Sequence, residues 1–200
     1  MADAKIHRRG FLRVLGVPAA VALGVTSDAL AQGPSLRATP ACGTEPTPGQ
    51  TEGPYFKPAS PRRTSLLEPG MFGAKVVVSG RVLSIDCKPI VRALIDAWQA
   101  DARGEYDNAG FTLRGHQFTD ESGRYQLETI VPGLYPGRTR HIHVKVQAPG
   151  QPALTTQLYF PGEPQNRRDG LFDQALLLSL QDAADGKAAT FDFVLRAQSF

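Results

Sequence analysis

The sequence predicts an all-β protein, an antiparallel β-sandwich with an extended N-terminal arm. Short segments rich in valine and aromatic residues recur between Gly- and Pro-containing turns over residues 75–200, which is typical of a sandwich. The preceding residues 32–74 are rich in Pro, Gly, Ser and Thr and show little periodicity, which indicates an arm wrapped on that body. The chain carries no Rossmann fingerprint, P-loop, H-E-x-x-H or C-x-x-C motif.

Residues 1–31 have the pattern of an export signal. Basic side chains that include Arg8 and Arg9 precede an apolar run over residues 14–25, and small residues end at Ala31. The run is shorter than the roughly 20 residues that span a bilayer. The paired arginines resemble a twin-arginine signal; an ordinary secretory signal and an uncleaved anchor are the alternatives. We expect a periplasmic or secreted protein without a stable membrane anchor after cleavage, and the cleavage site after Ala31 stays open.

Charge and cysteine content limit the classes of partner and of covalent cross-link that we expect. The formal net charge is +3, and it falls to +1 without residues 1–31, which contain four basic and two acidic side chains. No stripe of lysine and arginine remains, so we expect no nucleic-acid partner. The chain has two cysteines, Cys42 and Cys87, in a compartment that permits disulfides, but the sequence leaves their pairing open.

Alternation of apolar and polar residues places the strands of the body. A D-E-S-G turn separates two of them, and residues 171–180 fit either a helix or a strand. The predicted strands cover residues 75–85, 91–100, 117–119, 124–130, 141–148, 154–160 and 190–196.

The segment R-T-R-H-I-H-V-K-V at residues 138–146 places two of the four histidines on one strand face. His141 and His143 lie two residues apart, so their side chains point the same way, roughly 6.5–7 Å apart. They could bind one metal ion, or they could be polar residues on a solvated sheet face. A metal needs further ligands, for which Tyr106 and Tyr135 are candidates, whereas His116 fits a surface or turn role better.

Five segments in order carry a resemblance. They are T-E-G-P-Y-F (51–56), I-D-A-W-Q-A-D-A-R-G-E-Y (95–106), R-G-H-Q-F-T-D-E-S-G-R-Y (114–125), T-I-V-P-G-L-Y-P-G-R-T-R-H-I-H (129–143) and T-Q-L-Y-F (156–160). Together they resemble the intradiol ring-cleaving dioxygenases, which include catechol 1,2-dioxygenase and protocatechuate 3,4-dioxygenase. The resemblance covers roughly residues 50–196.

The resemblance implies a non-haem Fe(III) ion held by Tyr106, Tyr135, His141 and His143. Tyr135 and His143 would be axial, and Tyr106 and His141 equatorial beside a hydroxide. Phenolate is a hard, charged oxygen donor that suits a hard trivalent ion. Two phenolates and a hydroxide would balance the charge of that ion, which lowers the cost of burying it.

The resemblance also implies the reaction and the pocket. The substrates would be an aromatic 1,2-diol and O2, and the product a muconate-type dicarboxylate cleaved between the hydroxylated carbons. Arg138 would stabilise negative charge on the ring, and Tyr135 would leave the metal with a proton from the diol. Gln157 matches a pocket glutamine, and Gly53, Pro54 and Tyr55 match a loop that lines the pocket, although Tyr55 could equally serve arm packing.

Some features depart from the family or fit other proteins. Gly137 stands where protocatechuate enzymes tend to carry tryptophan, so the substrate stays open. The long N-terminal helical region that catechol dioxygenases use to dimerise is missing, so the oligomeric state also stays open, and a homo-oligomer is one possibility. Parts of the sequence also resemble transthyretin-like or carboxypeptidase-regulatory-like sandwich modules, which bind without catalysis. Zinc or copper on the same residues is a third interpretation, less suited to paired tyrosinates.

Overall fold

The computed structural model describes residues 45–196, which form two β-sheets and two short 3-10 helices. This confirms the predicted β-sandwich. The strands are β1 (Lys75–Ser84), β2 (Leu94–Trp98), β3 (Arg114–Phe118), β4 (Arg124–Ile130), β5 (His141–Gln147), β6 (Leu154–Tyr159), β7 (Ser179–Ala183), β8 (Gly186–Thr190) and β9 (Phe193–Leu195), and the 3-10 helices are Pro164–Arg167 and Gln174–Leu176.

One sheet has the order β4-β1-β8-β7, with β9 also paired to β1, and the other has the order β3-β2-β5-β6. The second sheet is antiparallel throughout, whereas β1 pairs in parallel with both β8 and β9. Gly80 lies between these two pairings. A Cβ atom there would lie 1.8 Å from the carbonyl oxygen of Phe191, so only glycine lets the chain pass from β8 to β9 this close to β1.

The core lies between the sheets as one cluster of buried apolar side chains. Strand β5 contributes Ile142, Val144 and Val146, each at most 2 % exposed. Strand β1 contributes Val76 and Val78 from the other sheet. The period of two seen in the sequence of β5 therefore reflects a real core face, and the histidines of β5 point away from it.

The arm, over its described residues 45–74, forms no strand and crosses the outer face of the β3-β2-β5-β6 sheet. Backbone hydrogen bonds join Gln50 to Thr155 on β6, Arg63 to His116 on β3, and Leu66 to Glu128 on β4. The Leu66 side chain is fully buried. The arm thus covers the sheet face that carries the histidines.

The observed elements differ from the predicted ones at several positions. Strand β4 has the predicted bounds, but β3 begins at Arg114 rather than at residue 117, because Arg114 and Gly115 pair with β2. His116 is half-buried on this strand, where its Nδ1 donates to the carbonyl oxygen of Ser60, so it lies in a strand rather than in a turn. The β7–β8 hairpin was missed, since its exposed sequence lacks β-branched residues before Thr190. Residues 171–180 hold the second 3-10 helix and the start of β7.

Predictions for residues 1–44 fall outside the described part of the chain, and the export signal and its cleavage site are among them. Cys87 is disulfide-bonded, but Cys42 lies outside the described residues, so a Cys42–Cys87 bridge stays a prediction. Among residues 45–196, no helix has the length and apolar character that crossing a membrane requires.

Candidate metal centre

The two histidines of β5 are buried rather than solvated. His141 is 4 % and His143 is 3 % exposed, which rules out the solvated-face interpretation. The indole of Trp98 on β2 stacks on the His143 ring, with centroids 4.8 Å apart and planes within 6°. Gly53 of the arm has φ +70, and a Cβ atom there would lie 3.5 Å from Cε1 of His143. A positive φ favours glycine, so this position lets the arm approach His143 closely.

Both imidazoles turn their Nε2 atoms towards the same point. His141 Nδ1 donates to the carbonyl oxygen of Thr139 at 2.6 Å, which leaves a lone pair on His141 Nε2. That atom lies 3.1 Å from His143 Nε2. Burial lowers the pKa of His141 to about 4, with Arg138 acting in the same direction, and burial also lowers the pKa of His143. The pair is therefore neutral at physiological pH, as metal ligands must be.

Three tyrosines meet beside the histidine pair. The Tyr106 hydroxyl lies 3.4 Å from His141 Nε2, and the Tyr106 ring is edge-on to that of Tyr135 at 5.9 Å between centroids. Tyr55 of the arm stacks on Tyr106 at 4.3 Å, and its hydroxyl lies 2.9 Å from that of Tyr135. Burial raises the pKa of Tyr106 and outweighs the opposite effect of Arg138 and Arg114, so without a bound metal ion this phenol stays protonated. The hydrogen bond to Tyr135 is the main reason that the pKa of Tyr55 is raised.

This arrangement fits a metal ion. Two nitrogens at right angles around one ion, each bonded at about 2.0–2.1 Å, would be about 3 Å apart, and the two Nε2 atoms are 3.1 Å apart. Within residues 45–196, no group of three or more His, Cys, Asp or Glu side chains could hold a metal. A metal at this site would therefore depend on tyrosine oxygen, which suits a hard trivalent ion such as Fe(III). The individual ligand roles stay a prediction.

Arg138 lies next to this cluster in a fixed orientation. Its Nε donates to both carboxylate oxygens of Asp169, at 2.9 and 3.1 Å, and its Nη2 donates to Oε1 of Gln157 at 2.6 Å. The Tyr159 hydroxyl donates to the same Gln157 oxygen. The structure thus brings together the arginine and glutamine that the sequence assigned to the pocket.

The arm residues assigned to the pocket lie on the same side of the sheet. Gln157 donates to the carbonyl oxygen of Thr51 at 2.9 Å, which fixes the arm just before Gly53. Tyr55 lies in the tyrosine cluster described above, while Pro54 between them is exposed.

Sequence reasoning missed four residues that shape the site: Trp98, Arg114, Tyr159 and Asp169. Trp98 ends an apolar strand and Tyr159 lies in T-Q-L-Y-F. The sequence therefore predicts the strand position of both residues but not the residues that they contact. Asp169 lies in a stretch of the sequence that shows no recognisable pattern. The Arg114 side chain is only 1 % exposed, although arginine is almost never fully buried unless it is paired.

Comparison with known proteins gives a second line of observation on the chain as a whole. A family model described as "Dioxygenase" matches residues 51–197. The protocatechuate 3,4-dioxygenase beta chain of Burkholderia cepacia is 33% identical over 158 residues, which cover 63% of this chain and 66% of that protein.

Among solved structures, the dioxygenase domain of a dioxygenase–carbohydrate-binding fusion protein from Streptomyces sp. SirexAA-E is 60% identical with a TM-score of 0.76, covering 77% of this chain and 100% of that one. The 3-chlorocatechol 1,2-dioxygenase of Rhodococcus opacus 1CP is 30% identical with a TM-score of 0.70, covering 74% and 72%. This chain spans about half to two thirds of the length of the first curated relatives that it matches. These matches do not favour the non-catalytic binding module.

Proposed function

Since this chain belongs to the intradiol ring-cleaving dioxygenase family, we propose that it inserts both atoms of O2 into an aromatic 1,2-diol and opens the ring between the two hydroxylated carbons. The observation that carries the proposal is the cluster around His141: its Nε2 lies 3.4 Å from the Tyr106 hydroxyl and 3.1 Å from His143 Nε2. The product would be a muconate-type dicarboxylate.

Four side chains would hold a non-haem Fe(III) ion: Tyr106, Tyr135, His141 and His143. The neutral histidines supply nitrogen lone pairs, and the two tyrosines supply phenolate once a trivalent cation offsets the cost of their burial. When bound, Fe(III) supplies the Lewis acidity that activates a chelated diol towards oxygen.

The remaining residues would handle protons and charge. On diol binding, the Oη atom of Tyr135 accepts one of the diol's protons, and the Tyr55 hydroxyl 2.9 Å away holds the neutral phenol in place. Arg138, fixed by Asp169 and Gln157, offers a positive charge to the ring as negative charge develops there. The arm covers this sheet face and excludes water from it.

For the substrate, we propose a small catechol or hydroxyquinol. The sequence offers no clear partner for a ring carboxylate, and Gly137 removes one pocket wall expected of protocatechuate enzymes. The relatives named above act on protocatechuate and 3-chlorocatechol by their names, so both ring types belong in the assay. Oxygen uptake with catechol, hydroxyquinol, protocatechuate and chlorocatechols, with product identification, would rank them. Fastest turnover with protocatechuate would contradict this choice.

Colour and iron content test the metal centre. Charge transfer from tyrosinate to Fe(III) should make the purified protein red-brown, and Tyr106→Phe should remove most of that colour or of the iron. Tyr125→Phe is a matched control, because Tyr125 is a buried tyrosine of the other sheet whose hydroxyl donates to the carbonyl oxygen of Phe191. A colourless protein fully loaded with zinc would overturn the assignment. Retained iron, colour and turnover in Tyr106→Phe would show that the wrong tyrosine was chosen.

Export outside the cytoplasm also stays a proposal, and it is based on residues 1–31 alone. A homo-oligomer is likewise a prediction, which the molar mass of the purified protein in solution would test.

A further inference from the structure

We propose that Arg114 is a positioning residue of the candidate metal centre: its buried guanidinium fixes the two chain segments that carry the stacked tyrosines Tyr55 and Tyr106. The inference deepens the proposed function and rests on it for the identity of the metal. The positioning itself rests on contacts within the protein and can be tested without metal.

Arg114 begins β3, and its side chain is among the largest that are fully buried. Nη1 donates to the carbonyl oxygen of Tyr55 at 2.6 Å. On the other side, Nε and Nη2 both donate to the carbonyl oxygen of Asp107, at 3.2 and 2.9 Å. The guanidinium is planar and its donors have a fixed geometry, so these bonds set the distance between the arm at Tyr55 and the loop just after Tyr106.

Both segments are attached to the site through their phenols. The Tyr55 and Tyr106 rings stack within 12° of parallel. Beyond the stack, the Tyr106 hydroxyl reaches His141 Nε2 and the Tyr55 hydroxyl reaches that of Tyr135. A shift of either main chain would move a phenol relative to the histidines, and the arm has no strand pairing near Tyr55 that would resist the shift.

The side chain of Asp107 holds its own loop in shape, so that the main-chain carbonyl of Asp107 can accept from Arg114. Its Oδ1 accepts hydrogen bonds from the amides of Ala109 and Gly110, and its Oδ2 accepts one from Thr112. These bonds, that from Gly110 foremost, lower the pKa of the Asp107 carboxyl. The carboxylate therefore closes the loop on itself, and the main-chain carbonyl is left for Arg114.

The charge of Arg114 points to the same role. Across residues 45–196, none of the ion pairs includes Arg114, although a buried charge usually has a partner. The carboxylates of Asp107 and Asp96 are close enough to favour its charge, and in the metal-bound state the phenolate of Tyr106 would add a negative charge nearby. Loss of the guanidinium would leave the carbonyl oxygens of Tyr55 and Asp107 without these donors, so the test needs a readout at the tyrosines as well as one of stability.

Arg63 provides a matched control. It also connects the arm to β3 through main-chain carbonyls, with Nε donating to the carbonyl oxygen of Arg114 at 2.9 Å. It is half-buried and forms an ion pair with Glu68, but it bonds neither Tyr55 nor Asp107. Variants at Arg63 therefore report the general cost of losing an arginine between arm and body.

The experiment compares Arg114→Lys and Arg114→Met with Arg63→Lys and Arg63→Met in the full chain. We expect iron affinity, measured by competition with a chelator, to fall roughly 10–100-fold in Arg114→Met, the usual effect of losing a residue that orients metal ligands. The tyrosinate charge-transfer band should shift or weaken in both Arg114 variants, less in Arg114→Lys because its charge is kept. kcat should fall more than KM rises. The Arg63 variants should keep the band.

Near-ultraviolet circular dichroism of the metal-free protein provides the readout that needs no iron. The stacked tyrosines should give a signal that Arg114→Met reduces and Arg63→Met keeps, at comparable melting temperatures. An unchanged signal in Arg114→Met, or equal losses in both variants, would overturn the positioning role. If the wild-type protein binds no iron and turns over no diol, the proposed function fails while this comparison still decides the role of Arg114.

Discussion

Replacing Asp169 by Asn tests how the pocket arginine is held. Asp169 is 7 % exposed and accepts bonds from Arg138 Nε on both oxygens, from the Thr139 amide and from the Leu171 amide. Asparagine keeps the shape but has no charge, and its Nδ2 would replace one acceptor with a donor that faces another N–H group. Arg138 would then lose its charged partner, and a buried donor would lose its acceptor.

The size of the effect follows from burial. Breaking a buried ion pair costs about 3–5 kcal/mol, but the Arg138 side chain is 17% exposed and can regain some hydration. We therefore expect a loss of about 2–3 kcal/mol in the free energy of unfolding, which corresponds to a fall of about 4–12 °C in Tm for a protein of this size. kcat should fall as well, because Arg138 is no longer oriented towards the ring.

Denaturant unfolding at neutral pH measures the loss against Asp182→Asn. Asp182 pairs with Lys187 on the surface, where its side chain is 90% exposed, so its replacement should change stability little. Equal stability of Asp169→Asn and Asp182→Asn would refute this account of the buried pair.

The same pair predicts a pH dependence. Burial alone would raise the pKa of Asp169, but hydrogen bonds from the amides of Thr139 and Leu171 and from Arg138 outweigh burial and lower it below 3.8. A group with a lowered folded pKa stabilises the protein above its unfolded pKa, and this contribution is lost as the pH falls through the folded value. The stability gap between wild type and Asp169→Asn should hold near neutrality and narrow progressively as the pH falls below 3.8. A gap that does not narrow as the pH falls below 3.8 would contradict the assignment.

Three further changes test the fold and the export signal. Leu66→Ala removes a fully buried arm side chain and should cost about 2–5 kcal/mol in denaturant unfolding; an unchanged midpoint would mean that the arm is not anchored there. Gly80→Ala should yield insoluble or strongly destabilised protein, because its Cβ would overlap the carbonyl of Phe191; a wild-type Tm would show that β1 can shift. Replacing Arg8 and Arg9 by lysine should abolish export by a twin-arginine route, measured as loss of the protein from the periplasmic fraction; continued export would favour an ordinary secretory signal.

Strand β5 shows what could be predicted from the sequence. Its alternation spans seven residues, and a period of two has a direct structural meaning in a sheet. The histidine face and the core face could therefore be assigned from the sequence, and the order of the motifs supplied the tyrosines. Strands β7 and β8 escaped notice because their pairing with each other and with β1 holds them, rather than the propensity of their residues.

The position of the arm over the histidines could not be predicted in the same way. The arm is fixed by contacts between residues far apart in sequence, such as the bond from the Thr47 amide to Val194, and no local pattern marks such partners. The Arg138–Asp169 pair spans 31 residues, and Arg114 bonds to Tyr55 across 59. These contacts depend on the tertiary fold, so the four missed residues became visible only in the structure.

Strand β5 also links the accuracy of folding to chemistry. Its neighbours β2 and β6 pair with it so that His143 faces Trp98 on one side and Gln157 on the other. If the register of β5 shifted by one residue, isoleucine and valine would point at the tyrosines, and the imidazoles would point into the hydrophobic core. Mispairing would thus remove the nitrogen donors and spoil the core in one step. The register that buries the aliphatic side chains of this strand in the core therefore also directs both imidazoles towards the tyrosines.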